Sequence, residues 1–435
     1  MAEKMPVLPA SQDKESVRST SERKSRPGSD QGWLTDWSRR LLFQRLESLE
    51  FGQLEIVEGD ERHVFGEEAS QLARLNVSDG AFYRQVVMGG ALGAAESFLQ
   101  GDWVSEDLVS VFRLLAINAT TFQNVNSSGR VLLAPINWIR RLGTRNSQLG
   151  SRKNIHAHYD LGNEFFKLFL DSTMTYSSGI FVSTQSTLRE SSIEKYDLIC
   201  RKLRLEHHHQ LIEIGTGWGG FAIHAAKEYG CHVTTTTISQ EQFHYAKSAV
   251  EEAGVADRVE IVCEDYRNLQ GQYDRLVSIE MIEAVGHQFL PTYFQQCSRL
   301  LKNDGEMLIQ AITIPDQFYD DYRKSIDFIQ RYIFPGGCLP CLSAMANAIK
   351  GSTDLQLVGL DDYTPHYART LQLWRARFLE QLDAVHQLGL DARFTRMWDY
   401  YLAYCEAGFR ERMTGLLQLH FAKPTARGFG RTIGS

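Results

Sequence analysis

Apolar and polar positions change period several times along the chain, and each change predicts an element. Between residues 33 and about 135 the pattern is mixed. Leu54-Glu55-Ile56-Val57-Glu58 alternates as a half-buried strand does, whereas residues 108–115 repeat their apolar side chains at helical spacing. A small α/β domain is expected there. The second half of the chain is more regular: an apolar run at 211–214 ends in Gly215-Thr216-Gly217-Trp218-Gly219-Gly220, and strand-like runs follow at 231–238, 259–262, 273–279 and 307–312. Short strands alternating with helical segments build a mostly parallel sheet that takes ligands at the carboxyl ends of its strands. The expected class is α/β, a Rossmann-like sheet with a smaller N-terminal α/β domain.

The glycine run carries the first chemical signal. Glycines adopt backbone angles closed to other residues and let the main chain approach a ligand, so a strand turning through them into a helix suits a nucleotide-like cofactor. Gly215, Gly217 and Gly220 satisfy the G-x-G-x-x-G spacing, and on spacing alone a dinucleotide stays open. The next strand argues otherwise. It ends in Thr237-Ile238-Ser239, where a dinucleotide enzyme places an Asp or Glu to grip the ribose. Glu264-Asp265-Tyr266 follows the third run, and the fourth opens with Tyr273-Asp274-Arg275, an entry common in methyltransferases. The inferred ligand is S-adenosylmethionine and the fold that of a class I S-adenosylmethionine-dependent methyltransferase; a plain structural turn is the alternative.

Composition narrows the setting. At 435 residues the chain has room for two cores, and 43% hydrophobic residues is the level of a globular protein. No apolar run reaches the roughly 18 to 20 residues of a membrane span, no apolar signal core begins the chain, and seven scattered cysteines fit a reducing compartment, so a cytoplasmic protein is expected. Neither the lone Cys338-x-x-Cys341 nor His207-His208-His209 makes a metal site, and no metal is expected. Residues 1–32 read as a disordered tail, 33–135 as the N-terminal α/β domain, 136–153 as a basic linker, 154–423 as the methyltransferase domain and 424–435 as a flexible end. Although the net charge is −7, no acidic residue lies between Leu108 and Tyr159, a stretch that holds Arg113, Arg130, Arg140, Arg141, Arg145, Arg152 and Lys153. With the apolar side of Ile136-Asn137-Trp138-Ile139 this stretch suits an anionic bilayer surface, or else a solvated linker. The acidic overall balance and the lack of a nucleic-acid-binding motif exclude nucleic acid as a partner. The aromatic-rich segment 316–334 suits a lid over an apolar chain, with an ordinary core as the alternative.

Several blocks keep their order over roughly residues 60 to 422: His158-Tyr159-Asp160-Leu161-Gly162-Asn163, Tyr176-Ser177, the glycine turn, Thr237-Ile238-Ser239 with Gln242, Ile282-Glu283, residues 332–340, Tyr400-Tyr401 and Cys405. Together they resemble the cyclopropane-fatty-acyl-phospholipid synthase family, which includes the mycolic acid cyclopropane synthases. The resemblance implies transfer of a methylene group from S-adenosylmethionine to the cis double bond of an unsaturated phospholipid acyl chain, at a membrane surface to which the protein binds peripherally. A homodimer is left open. An alkene attacking the sulfonium methyl becomes a carbocation, which demands a water-free pocket and a base to remove a proton from the new methyl. In the family that base is a bound bicarbonate.

Carried over by position, Glu283 is the glutamate of the anion site, Tyr332 its tyrosine, Cys405 its late cysteine and the Ile279 carbonyl a backbone acceptor. Two positions depart from the pattern. Ser178 stands for a cysteine and Gln310 for a histidine. Both can hold an anion, but glutamine cannot shuttle protons. The cofactor set implied is Tyr176 and Ser177 at the methionine end, Gly215 and Gly217 at the turn, Thr237, Ile238 and Gln242 at the ribose, and Tyr266 and Arg267 beside the adenine. The departures open a second outcome, a methylene or methyl branch in place of the ring; a lipid- or cofactor-binding protein without catalysis is the third.

Overall fold

The computed structural model describes residues 29–67, 71–119 and 161–427. The basic linker, the Ile136 segment and His158 to Asp160 lie outside the described residues, as do 1–28 and 428–435. Helix α1 (Ser29–Leu46) begins inside the stretch expected to be disordered. Strands β1 (Gln53–Glu58), β2 (Glu61–Gly66), β3 (Leu72–Val77) and β4 (Trp103–Val104) form a sheet in the order β2-β1-β3-β4. Alternation works as expected: Leu54 and Ile56 on β1 and Ala73, Leu75 and Val77 on β3 are buried. Helices α2 (Ala81–Gln100) and α3 (Leu108–Ile117) cover the sheet, and α2 kinks at Gly90, whose backbone leaves helical angles with φ 58°.

The second part of the chain opens with α4 (Asn163–Lys167) and α5 (Leu188–Lys202), the latter closed at its N-terminus by a Thr187–Glu190 capping box. It then alternates β5 (Gln210–Ile214), α6 (Gly220–Glu228), β6 (His232–Thr237), α7 (Gln240–Glu252), β7 (Val259–Cys263), β8 (Tyr273–Ile279), α8 (Leu290–Leu300) and β9 (Leu301–Thr313). Strand β9 starts six residues before the expected 307, because Lys302, Asn303 and Asp304 hide its first turn of pairing from an apolar search. Helix α9 (Asp316–Tyr322) and a π-helical turn at Ile329–Ile333 follow. After α10 (Leu342–Ser352) come β10 (Gln356–Asp362), α11 (Thr364–Glu380), α12 (Leu382–Gln387), α13 (Ala392–Arg410) and β11 (Gly415–Ala422).

The sheet order is β10-β11-β9-β8-β5-β6-β7. Strands β9, β8, β5, β6 and β7 run parallel, while β11 is antiparallel to both neighbours. The order reverses between β5 and β8, and at such a switch point a crevice opens above the strand ends. The expected class I methyltransferase fold is what forms. The two domains share one hydrophobic cluster through α13. Tyr400 packs edge-on against Phe112 at 4.7 Å, and the Arg396 Nε donates to the Leu99 carbonyl at 3.0 Å. In the 316–334 segment Tyr319, Phe328 and Ile333 are buried, so at least part of its aromatic content is core.

Candidate active site

Chain reversal at the end of β5 puts three glycines where only glycine is unstrained: φ is 106° at Gly215, 53° at Gly217 and 92° at Gly219. The Gly215 and Thr216 amides both donate to the Thr236 carbonyl, pinning the turn to β6. A Cβ at Gly220 would lie 2.6 Å from the Tyr196 hydroxyl, so the first residue of α6 must also be small. Trp218 closes the turn from the other side by donating its Nε1 to Asn163 at 2.7 Å. That bond joins the turn to the end of the His158–Asn163 block.

Of the other residues expected at the cofactor, Thr237 ends β6, Gln242 lies in the first turn of α7, and Tyr266 and Arg267 follow the end of β7. Thr237 donates its hydroxyl to the Gln242 carbonyl oxygen at 2.8 Å, which fixes the Gln242 amide at the N-terminus of α7; Ile238 lies between them in sequence and is half-buried. Tyr266 packs edge-on against Tyr293, and the Arg267 guanidinium is gripped by Asp265 at 2.6 and 2.8 Å. Tyr176 shares a 3.0 Å hydrogen bond with the Tyr401 hydroxyl, and the Ser177 hydroxyl accepts from Lys195 at 2.6 Å. Lys195 is fully buried, and burial pushes its pKa down to about 8 against the opposing pull of Glu280, Asp171 and Glu213. Glu213 on β5 is likewise driven up to about 8 by burial, although the Thr235 hydroxyl donates to it at 2.6 Å.

On the far side of the switch point, β8 ends at Ile279, and Glu280 turns the chain with φ 49°, an uncommon angle for a residue with a side chain. Its carboxylate is wrapped by donors. Oε1 accepts from the Ser178 amide at 2.9 Å and from the Gln310 Nε2 at 2.8 Å, and Oε2 accepts from the Tyr367 hydroxyl at 2.7 Å. Desolvation raises the Glu280 pKa, opposed by Lys195 and by these donors. Gln310 has no freedom to turn its amide over. Its oxygen accepts from Gln418 Nε2 at 2.9 Å, and the Gln418 oxygen accepts from the Lys202 ammonium at 2.7 Å. The Ser178 hydroxyl donates to the Gly179 carbonyl, leaving its amide as the group that meets the carboxylate.

Glu283 follows one turn later. Its Oε1 accepts from the Ile312 amide at 2.5 Å, whereas Oε2 is buried without a hydrogen-bond partner. Burial and the neighbouring Glu280 push its pKa up to about 8. Two carboxyl groups three residues apart thus stand in different surroundings: Glu280 is fed by three donors that oppose the upward pull of burial, whereas Glu283 has one donor and is pushed up to about 8.

Two expected members of the cluster stand elsewhere. Tyr332 donates to Glu96 on α2 at 2.9 Å, with Arg331 on the same carboxylate, so its hydroxyl ties the two domains together. The phenol that reaches the carboxylate is Tyr367 on α11, because the antiparallel return of β10 and β11 brings α11 over the end of β8. Cys405 is half-buried on α13, its thiol pushed up by burial and by Asp327. Glu280, Tyr367, Lys195 and Glu213 escaped the sequence reading. A lysine on the apolar stripe of α5, between Ser191 and Ile199, and two glutamates spaced by three after a strand were the available signals.

The glycine turn and the carboxylate pair adjoin: a Cβ at Gly215 would come within 3.3 Å of the side chain of Met281, which stands between Glu280 and Glu283 in sequence. The model of the mycolic acid cyclopropane synthetase family matches residues 146–419. A tuberculostearic acid methyltransferase of Mycobacterium tuberculosis is 39% identical over 344 residues, 76% of this chain and 78% of that protein. The cyclopropane-fatty-acyl-phospholipid synthase of Escherichia coli K12 is 33% identical over 366 residues, 82% and 89%. Among solved structures, the cyclopropane synthase MmaA2 of M. tuberculosis superposes with TM-score 0.58 at 30% identity, covering 62% of this chain and 98% of that one. The mycolic acid cyclopropane synthase CmaA1, solved with S-adenosylhomocysteine bound, gives 0.59 at 30% identity over the same shares. The chain belongs to the mycolic acid cyclopropane synthetase family and is an S-adenosylmethionine-dependent lipid methyltransferase.

Proposed function

We propose that the protein transfers the methyl group of S-adenosylmethionine to the cis double bond of an unsaturated phospholipid acyl chain at a membrane surface and closes the product to a cyclopropane. The observation that carries this reading is the carboxylate pair at the end of β8, set against the glycine turn and walled by aromatic rings. Tyr176 lies 5.3 Å from Trp374 and 6.3 Å from Phe334, and Phe334 lies 6.3 Å from Tyr401, which suits a cation that water would trap. Tyr176, Ser177, Gly215, Gly217, Thr237, Ile238, Gln242, Tyr266 and Arg267 border the cofactor in this reading. Proton removal falls to bicarbonate held by Ser178, Gln310 and the Ile279 carbonyl, or to a carboxylate of the chain. Membrane contact is supported by Trp33 and Trp37 on α1, 59% and 49% exposed, while no helix among the described residues is long and apolar enough to span a bilayer. The protein then binds peripherally from the cytoplasmic side.

A second reading keeps the cation but gives a methylene branch. In both cases the proton leaves the transferred methyl; a branch arises when a hydride first shifts to the neighbouring cationic carbon, so a slower base favours it. Gln310 in the place of a histidine and the name of the 39% identical relative favour this outcome. Incubation with carbon-13 methyl-labelled S-adenosylmethionine and vesicles of monounsaturated phospholipid, followed by NMR of the released fatty acids, decides. Labelled ring methylene supports cyclopropanation, labelled vinylic carbon supports the branch, and no label in lipid removes both.

A further inference from the structure

We infer that Glu280 is the base of this reaction, a carboxylate built into the chain that takes the donors otherwise left for bicarbonate; the inference rests on the proposed methyl transfer to an alkene but holds for either product. The Ser178 amide and Gln310, expected to hold a free anion, both donate to Oε1 of Glu280. Tyr367 adds a third donor at Oε2. A carboxylate offers about four lone-pair positions. Oε1 has both of its own filled by protein donors, and Oε2 has one filled by Tyr367, so a single lone pair on Oε2 remains to accept a proton.

Three further observations agree. Two of the three donors are obliged to face the carboxylate: a backbone amide cannot accept, and the Lys202–Gln418–Gln310 chain presents the Gln310 amide by its nitrogen. The buried Lys195 ammonium, which also holds Ser177, supplies positive charge that favours the carboxylate form of Glu280 against the pull of burial. Glu280 keeps a left-handed backbone that glycine would adopt without strain, and strained residues persist where the side chain is needed. Glu283, with its proton retained and one oxygen unpartnered, does not compete for this role.

The step balances without another reactant. The alkene displaces S-adenosylhomocysteine and gains a methyl group. One C–H bond of that methyl breaks, its electron pair forms the third ring bond at the cationic carbon, and the proton passes to Oε2 of Glu280, from which water removes it. After a hydride shift the same electron pair forms the exocyclic double bond.

The test uses the full chain with monounsaturated phospholipid vesicles, in buffer stripped of bicarbonate and again with millimolar bicarbonate restored. Wild-type turnover is expected to be unchanged by the anion. Glu280→Gln, which preserves shape but not basicity, should lose about a thousandfold in turnover while binding S-adenosylhomocysteine normally by calorimetry. Glu280→Gly relaxes the backbone and frees the donors, and its residual activity should rise when bicarbonate or formate is added. A wild-type enzyme that slows on stripping, or a Glu280→Gln enzyme that stays active, overturns the assignment. A second readout needs no turnover: carbon-13 bicarbonate should bind Glu280→Gly and not the wild type. Equal binding to both overturns the assignment even if lipid proves not to be the acceptor, whereas the predicted difference without lipid product would remove the proposed function and leave Glu280 as the occupant of the anion site.

Discussion

The glycine turn and the carboxylate cluster, the two halves of the proposed site, meet at Met281 but are built in different ways. Around Gly215 and Gly217 the shape is a property of one short segment, because positive φ angles force the turn and the β6 carbonyl of Thr236 secures it. Around Glu280 nothing is local. Its donors come from Ser178, Gln310 and Tyr367, separated by up to 189 positions in sequence and joined only by the packing of β9, β11 and α11 over β8. A site that holds a cofactor can be specified by backbone freedom; a site that holds a charge in a dry place needs donors recruited from wherever the fold delivers them.

If that contrast is right, perturbing the recruited half should change chemistry with the cofactor still bound. Tyr367→Phe removes one charge-assisted hydrogen bond, worth about 1.5–3 kcal/mol, and should reduce turnover roughly ten- to a hundredfold; an equal loss in S-adenosylhomocysteine affinity would break the comparison. The local half should respond in the opposite sense. Gly217→Ala meets no atom within 4 Å of its new Cβ, so its cost is the left-handed angle alone, about 1–2 kcal/mol. Calorimetry should show cofactor affinity about tenfold weaker, and an unchanged affinity would mean that the turn is not the binding element.

Glu283 sharpens the picture through pH. Its native pKa, about 8, stands above the ordinary value of 4.5, so between these the folded state binds more protons than the unfolded one and stability falls as pH rises. Glu283→Gln lacks that dependence. Its melting temperature should exceed wild type by several degrees at pH 8 (about 4 kcal/mol for a shift of this size) and match it at pH 4; a constant difference at both would exclude a retained proton. The smallest effect is expected from Tyr332→Phe. Because its hydroxyl pairs with Glu96 rather than with the carboxylates, turnover should stay within about threefold of wild type, as for a partly exposed hydrogen bond. A loss like that of Tyr367→Phe would restore Tyr332 to the reaction.

Legibility in the sequence followed the same division. The parallel strands and the glycine turn were readable because apolar runs, β-branched residues and glycines act over a few positions. The antiparallel edge was less so: β10 is largely exposed and lacks an apolar pattern, and β9 hides its start behind polar residues. Tyr332 and Tyr367 look alike in sequence, each on an aromatic-rich stretch. What separates them is which helix lies above β8, and spacing carries no record of that.

By itself, then, the sequence determined the α/β alternation, the glycine turn with its cofactor, and the presence of a carboxylate just after β8, since each depends on residues within one element. Only the tertiary structure decided that Glu280 rather than Glu283 collects the Ser178, Gln310 and Tyr367 donors, and that Tyr332 instead clamps the N-terminal domain through Glu96. The physical reason is that a buried charge is stabilised by the sum of the donors around it, and that sum exists only once distant segments have packed together.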